Sequence, residues 1–112
     1  MKYIVAIIRP ELLEAVQKVL VEEKVHLMTV SEDYGKGREH GVKEQFRGAE
    51  HETMPPKIKL EIAVNDDFAE ATIDAITTAG KTGTIGDGKI FVLPLEQCVR
   101  ISTGEAGTGA IG

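Results

Sequence analysis

The sequence has little cysteine, few aromatic residues and no long apolar run, and each shortage excludes a class of protein. One cysteine, Cys98, cannot build a disulfide framework or a cysteine-based metal site, which is typical of a cytoplasmic protein. No apolar stretch approaches the ~20 residues that a membrane-spanning helix requires. The net charge of −5 argues against nucleic acid as the main partner, because phosphate backbones bind to basic surfaces.

The 112 residues are enough for one domain, residues 1–112, with its own apolar core. Residues 2–8 are β-rich and almost entirely apolar, which predicts a central strand rather than a signal peptide. Apolar residues then recur at helical spacing from Pro10 to Lys24. A second strand is expected from about Val25 to Tyr34.

The second half repeats this order of strand, helix and strand. Residues 57–64 alternate between apolar and polar side chains, as in a strand with one buried face. A second helix is expected to begin with Asn65 or Asp66 as its cap and to end at Gly80. A last main strand, residues 89–94, follows a glycine-rich segment, and a short strand near residues 99–101 is a further option.

The predicted order is β-α-β-β-α-β, the arrangement of an α+β, ferredoxin-like sandwich with both helices on one face of an antiparallel sheet. The other face would be bare, and residues 2–8 are too apolar to face water there. We therefore expect a homo-oligomer in which the sheets cover one another.

Two segments fit no element, the long loop (residues 35–56) and the tail (residues 102–112), and both are expected to be flexible.

The segment "TGTIGDGKIFVLP" contains the spacing GxxxxGK at Gly83, Gly88 and Lys89. It is not a Walker motif, because Ile90 replaces the required Ser or Thr and the predicted order is helix, loop, strand. We call residues 82–88 the glycine loop. Its glycines would let backbone amides converge on an anion, with Lys89 at the rim and Asp87 stabilising the turn. A plain glycine turn before a strand fits the same spacing equally well.

Seven short segments together resemble the PII nitrogen-regulatory signalling proteins: YIVAIIRPE, MTVSE, GKGR, FRGAE, KIKLE, TGTIGDGKIFVLP and RISTGE. They occur in the right order over nearly the whole chain, and IGDGKIFVLP is highly specific. The resemblance implies a ferredoxin-like homotrimer that binds ATP or ADP in clefts between subunits. It also implies that the long loop docks onto a target protein, such as a membrane transporter or an enzyme, without catalysis by this chain itself.

The same resemblance assigns roles to particular residues. The residues that it places at the nucleotide are Thr29, Gly35, Gly37, Arg38, Gly86, Asp87, Gly88, Lys89 and Arg100. Thr29 would lie at the adenine, and Arg100 would come from the adjacent subunit. Gly35, Gly37 and Arg38 would border the phosphates at the base of the long loop. We also expect Arg47 to contact the target, because a single cation on a flexible tip suits a narrow acceptor site.

Four positions depart from the family pattern. Glu39 replaces a glutamine that helps to hold Mg²⁺ and 2-oxoglutarate; a carboxylate can ligate Mg²⁺ beside a nucleotide but repels a dianion. We therefore expect a different small-anion effector, such as bicarbonate. His51 replaces the tyrosine that many bacterial members modify. Thr84 and Ser102 replace a lysine and an arginine, so ADP or AMP should bind at least as well as ATP.

A protein of another class remains as the alternative. His40 and His51 lie in the long loop together with the carboxylates of Glu39, Glu50 and Glu52. Such a set can bind hard or borderline cations, as in a trimeric metal-binding protein of similar fold. Histidines that are simply solvated on a loop would give the same pattern.

Overall fold

The computed structural model describes residues 1–37, 43–46, 49–52 and 54–111, with the backbone alone for 43–46 and 49–52. The chain begins with strand β1, a short 3₁₀ turn and helix α1. The elements that follow are one strand, a small hairpin, a long strand, a second helix and a last strand. Their bounds are β1 Lys2–Ile8, α1 Leu13–Glu22, β2 Thr29–Tyr34, β3 Lys43–Phe46, β4 Ala49–Glu52, β5 Pro56–Val64, α2 Asp66–Gly80 and β6 Lys89–Pro94.

Four strands form one antiparallel sheet in the order β2-β5-β1-β6. The register places Ile4 opposite both Ile62 and Val92, so these side chains share one face. That face carries the core together with the apolar stripes of α1 and α2. The buried core residues are Ile4, Ala6, Ile8, Val16, Leu20, Val25, Ile58, Leu60, Ile62, Val64, Ala75 and Ile76. The predicted α+β, ferredoxin-like arrangement is confirmed.

Helix α1 ends at Glu22, two residues before the predicted end at Lys24, and the cause is local. Lys24 has a left-handed backbone with φ of 64°. The amide of Val25 then donates to the carbonyl of Leu20 at 2.8 Å, and the amide of Lys24 donates to the carbonyl of Val21 at 2.9 Å. This pair of bonds is a Schellman cap, which turns the chain inward and buries Val25. The predicted strand therefore begins at Thr29, not near Val25.

Helix α2 has the predicted bounds but not the predicted cap. Asn65 occupies the N-cap position, yet its side chain makes no capping hydrogen bond. Its Nδ2 instead donates to the carbonyl of Thr108 at 3.2 Å, which ties the tail to the start of α2. Asp66 accepts a hydrogen bond from the amino group of Met1 at 2.9 Å. That contact lowers the pKa of the Asp66 carboxyl below its usual value.

The two segments to which the sequence assigned no element contain short-range order. Within the long loop, β3 pairs with β4 in a separate two-stranded sheet. In the tail, Ala106 forms an isolated bridge with Val99, which precedes the tail, and residues 108–110 form a 3₁₀ turn. Gly104 and Gly107 have positive φ, which provides the sharp turns that this path requires.

The open face, meaning the sheet face opposite the helices, has an apolar half and a charged half. Val5 and Ile7 on β1 are half-buried, and Phe91 and Leu93 on β6 keep 51% and 45% of their surface exposed. Across β2 and β5, Lys59 lies 3.5 Å from Glu61 and 3.7 Å from Asp33. An uncovered apolar surface of this kind is what the sequence predicted, whereas the homotrimer stays a prediction. No helix in the described ranges is long and apolar enough to cross a membrane.

We expect Lys24→Gly to stabilise the fold, because a left-handed conformation strains a side chain that glycine lacks. The free energy of unfolding should rise by about 0.5–1 kcal/mol, measured by urea denaturation. Lys18→Gly, in the regular part of α1, is the matched control and should lower it by about 1 kcal/mol. Destabilisation by both substitutions would contradict the assigned cap.

Candidate functional site

A cleft of about 760 Å³ opens at the end of the sheet where β1 and β5 meet the glycine loop. One wall is the glycine loop, and the opposite wall is the last part of β2 and the base of the long loop. The lining residues are Ile7, Asp33, Tyr34, Gly35, Lys36, Gly37, Lys57, Gly83, Thr84, Ile85, Gly86, Asp87, Gly88, Lys89 and Phe91. The volume is that of a site for a small organic ligand.

Asp87 organises the glycine loop by accepting hydrogen bonds from several of its groups. The amides of Thr82 and Gly83 donate to its Oδ2 at 2.8 Å and 2.9 Å. The Thr82 hydroxyl and the Nε of Arg9 donate to its Oδ1. The Thr82 hydroxyl above all, then Arg9 and the two amides, holds the pKa of the Asp87 carboxyl well below its usual range. Asp87 is therefore an ionised carboxylate that stabilises the turn, as the sequence predicted.

Arg9 reaches the glycine loop from the residue directly after β1. Its Nε lies 2.9 Å from Asp87 Oδ1, and its Nη2 donates to the Thr84 hydroxyl at 3.0 Å and to the Ile85 carbonyl at 2.8 Å. The Arg9 side chain is 23% exposed, the same fraction as that of Asp87. Arg9 is not among the residues that line the cleft, so it contacts the loop from behind.

Gly88 is where the loop meets the sheet, and only glycine fits there. Its φ is +99°, and a Cβ on it would lie 1.8 Å from the carbonyl oxygen of Ile7. Gly86 has φ of +105°, and a Cβ there would lie 3.0 Å from Nη2 of Arg9. Gly83 also has positive φ but faces open space. Gly88 thus allows the loop backbone to approach the sheet closely, whereas Gly83 and Gly86 allow the loop to curve.

Lys57 places a positive charge in the floor of the cleft. It lies on the open face of β5, is only 7% exposed, and its Nζ donates to the carbonyl of Gly86 at 3.0 Å. Lys36 and Lys89 also line the cleft, as do the carboxylates of Asp33 and Asp87. Because Asp87 is already bonded to Arg9, the cleft favours an anion on the side of the glycine loop.

The other part of the lining is apolar and largely uncovered. Tyr34 is 74% exposed, Ile85 62% and Phe91 51%. Ile7 adds an aliphatic surface on the floor. Aromatic and aliphatic faces beside a cationic nest match a ligand with a flat apolar part and an anionic part.

The structure brings together six of the residues that the sequence assigned to a nucleotide. Gly35 and Gly37 line the cleft from the base of the long loop, opposite the glycine loop and its lysine. Those on the other wall are Gly86, Asp87, Gly88 and Lys89. These positions were predicted from glycine spacing and from the resemblance, and they share one cavity.

Two assigned residues do not line the cleft of their own chain. Thr29 begins β2, whereas Asp33 and Tyr34 at the other end of that strand face the cavity. Arg100 lies near the tail, with its Nη2 donating to the carbonyl of Gly109 at 3.3 Å and its Nε 3.9 Å from Glu105. Arg38, Glu39 and Arg47 lie outside the described residues, so their assigned roles stay predictions.

The sequence reasoning missed Arg9 and Lys57 as parts of the site. The partners of Arg9 are 75 to 78 residues away in the sequence, so no local spacing links them. A signal for Lys57 did exist, because the alternation of β5 puts it on the face opposite the core. Among the described residues, no group of three or more His, Cys, Asp or Glu could hold a metal ion. The predicted metal-binding alternative involves long-loop side chains outside that set.

Comparison with known proteins gives a consistent result over nearly the full chain. A family model described as "Nitrogen regulatory protein P-II" matches residues 1–105. The chain is 50% identical to nitrogen regulatory protein GlnK1 of Methanosarcina mazei, over 99% of this chain and 97% of that protein. It is 46% identical to nitrogen regulatory protein P-II 2 of Methanothermobacter thermautotrophicus, with 99% and 97% covered. It is 49% identical to nitrogen regulatory protein P-II of Bradyrhizobium diazoefficiens, with 99% and 100% covered.

We expect Gly88→Ala to destabilise the protein far more than Gly83→Ala. Both residues have positive φ, but only Gly88 lies against the Ile7 backbone. Gly83→Ala should cost about 1 kcal/mol in the free energy of unfolding, from the backbone conformation alone. Gly88→Ala should cost about 3 kcal/mol or more, because the β1–β6 register must also shift. Equal costs in urea denaturation would contradict the close approach.

We expect the Asp87 carboxylate to stabilise the fold at neutral pH and to stop doing so in acid. Its pKa is lowered in the folded protein, so its contribution is complete above the unfolded value of about 3.9. The contribution is lost as the pH falls below that value towards the folded pKa. Asp87→Asn should therefore be less stable than the parent at pH 7, and the difference should shrink below pH 4.

Urea denaturation of both proteins between pH 7 and pH 3 measures this effect. Asp74→Asn is the matched control, because Asp74 is exposed on α2 and has no ion pair in the described part of the chain. A stability difference for Asp87→Asn that stays constant with pH would show that the carboxylate charge is not what stabilises the loop.

Proposed function

This chain belongs to the nitrogen regulatory protein P-II family, and we propose that it binds adenine nucleotides and regulates a partner protein through the long loop. The family supports a signalling regulator rather than an enzyme. The observation that carries the nucleotide proposal is the cleft itself. Its glycine loop presents backbone groups and Lys89 on one side, and its aromatic residues cover the other.

The two ends of the cleft match the two ends of a nucleotide. The amides of Ile85 and Gly86 make no hydrogen bond to any described residue, so they are available for phosphate oxygens. Lys89 and Lys57 add charge beside them. A purine ring fits against the exposed faces of Ile7 and Phe91. The phosphates would thus contact amides and lysines, and the purine ring would contact apolar side chains.

The chain-specific residues favour a short phosphate chain. Thr84 replaces a lysine of the family pattern, and its hydroxyl accepts a hydrogen bond from Arg9. Position 84 therefore offers no positive charge to a phosphate. Ser102 likewise supplies no charge. Each lost charge-assisted contact is worth roughly 1.5–3 kcal/mol. We propose that ADP and AMP bind at least as well as ATP, and that Mg²⁺, held with Glu39, accompanies a bound polyphosphate.

The position of Thr29 and Arg100 supports a site shared between copies. Neither residue lines the cleft of its own chain. Both contribute to binding only if a second copy presents them, which agrees with the uncovered apolar half of the open face. We propose a homotrimer with three clefts between subunits, each combining Lys89 of one copy with Arg100 of the next.

The base of the long loop provides the route from ligand to partner. Gly35 and Gly37 line the cleft, so a bound nucleotide contacts the point where the long loop leaves β2. Ligand identity would then change the preferred conformation of residues 35–56, and with it the docking of Arg47 on a target such as a membrane transporter. A small-anion second effector is proposed to bind near Lys57, the cation in the cleft floor.

We expect Lys89→Ala and Arg100→Ala each to lower ADP affinity by about tenfold or more in calorimetry, because each removes a charge-assisted phosphate contact. Lys18→Ala, a lysine exposed on α1, is the control for net charge and should leave affinity unchanged. Co-refolding the two variants in equal amounts should restore full affinity in about a quarter of the clefts, since random trimers pair an intact Lys89 with an intact Arg100 at that frequency.

Two results would contradict this proposal. Full affinity in both single variants would remove the phosphate site from the glycine loop. Absence of high-affinity clefts in the mixture, with native mass spectrometry showing mixed trimers, would mean that Lys89 and Arg100 do not act across a subunit boundary.

A further inference from the structure

Among the arginines that the structure describes, Arg9 is the one that supports the glycine loop without lining the cleft. Its three hydrogen bonds reach a hydroxyl on Thr84, a carbonyl on Ile85 and a carboxylate on Asp87. These acceptors lie on three of four successive residues of the loop. One planar guanidinium therefore fixes the curvature of the segment that presents its amides to the cleft.

The packing of Arg9 against Gly86 shows how closely the guanidinium follows the loop. A Cβ on Gly86 would lie 3.0 Å from Nη2 and 3.4 Å from Cζ of Arg9. The guanidinium thus fills the convex side of the loop, and the concave side remains for a ligand. A lysine cannot reproduce this, because its single ammonium lacks the fork of donors.

Arg9 also changes the electrostatics of the cleft. Asp87 lines the cleft as an ionised carboxylate, next to the proposed phosphate position. An uncompensated carboxylate there would repel a polyphosphate, and the repulsion would grow with the charge of the ligand. Arg9 is the only cation whose ion pair with Asp87 is found in the described ranges.

We propose that Arg9 is a positioning residue for phosphate binding, holding the glycine loop in its concave shape and neutralising Asp87. This inference rests on the proposed nucleotide function. It assigns to Arg9 a part in affinity and in the choice between nucleotides, although Arg9 itself lies behind the loop.

The first experiment compares ATP and AMP affinities by calorimetry. Arg9→Gln should lower ATP affinity by about tenfold and AMP affinity by about threefold, because repulsion by Asp87 scales with ligand charge. Arg9→Lys keeps the charge, so both affinities should fall by a similar factor, about threefold. Lys18→Gln makes the same change in net charge as Arg9→Gln at an exposed position of α1, and should change neither affinity.

A double variant separates this role from a structural one. In Arg9→Gln/Asp87→Asn the carboxylate is absent, so the ratio of ATP to AMP affinity should return to within about threefold of the parent ratio. Equal losses of ATP and AMP affinity in Arg9→Gln, or a ratio that the second substitution does not restore, would overturn the proposal. A residue that only stabilised the fold would not change this ratio.

The second experiment needs no nucleotide and distinguishes failure of this inference from failure of the proposed function. The amides of Thr82 and Gly83 donate to Asp87, which Arg9 holds in place. Hydrogen exchange at these amides should be about tenfold faster in Arg9→Gln than in Lys18→Gln. If the parent protein bound no adenine nucleotide, faster exchange together with loss of pyrophosphate binding in Arg9→Gln would still support the positioning role. Unchanged exchange would refute it.

Discussion

The contact between Gly88 and the carbonyl of Ile7 determines where the site can be. It lets the backbone of the glycine loop come within reach of the central strand, immediately before β6 pairs with β1. The loop is consequently fixed at the end of β1, where Arg9 follows two residues after Ile7. Lys57 lies at the same end of the sheet on neighbouring β5. A side chain at position 88 would separate these parts.

Much of the fold follows from local sequence, because its elements bury regular patterns. The alternation in β5 and the helical spacing in α2 predict the correct elements. Each pattern places its apolar residues on one face, towards the shared core, in only one type of secondary structure. The predicted start of β2 was wrong because the apolar Val25 belongs to the C-terminal cap of α1 and not to a strand. The Asn65 cap failed for a similar reason: its amide bonds to Thr108, a residue of the tail that no local rule connects to it.

The site was predictable where glycine geometry decides and unpredictable where distant side chains meet. Gly86 and Gly88 require backbone conformations that only glycine adopts easily, so their spacing carries information about shape. Arg9 and Lys57 are ordinary charged residues in the sequence, and their importance comes from burial and from partners across the fold. The hairpin of β3 and β4 was missed because its residues are mostly polar and show no alternation with an apolar face.

The first amino group of the chain is an ion-pair partner, which has a practical consequence for handling the protein. Met1 bonds through its free ammonium to Asp66 at the start of α2, and its carbonyl accepts from the amide of Leu95 just after β6. An affinity tag fused before Met1 would convert that ammonium into a neutral amide and leave Asp66 without its partner. The same helix start holds the tail through Asn65. Extra residues before Met1 would therefore act on the same helix start that holds the tail.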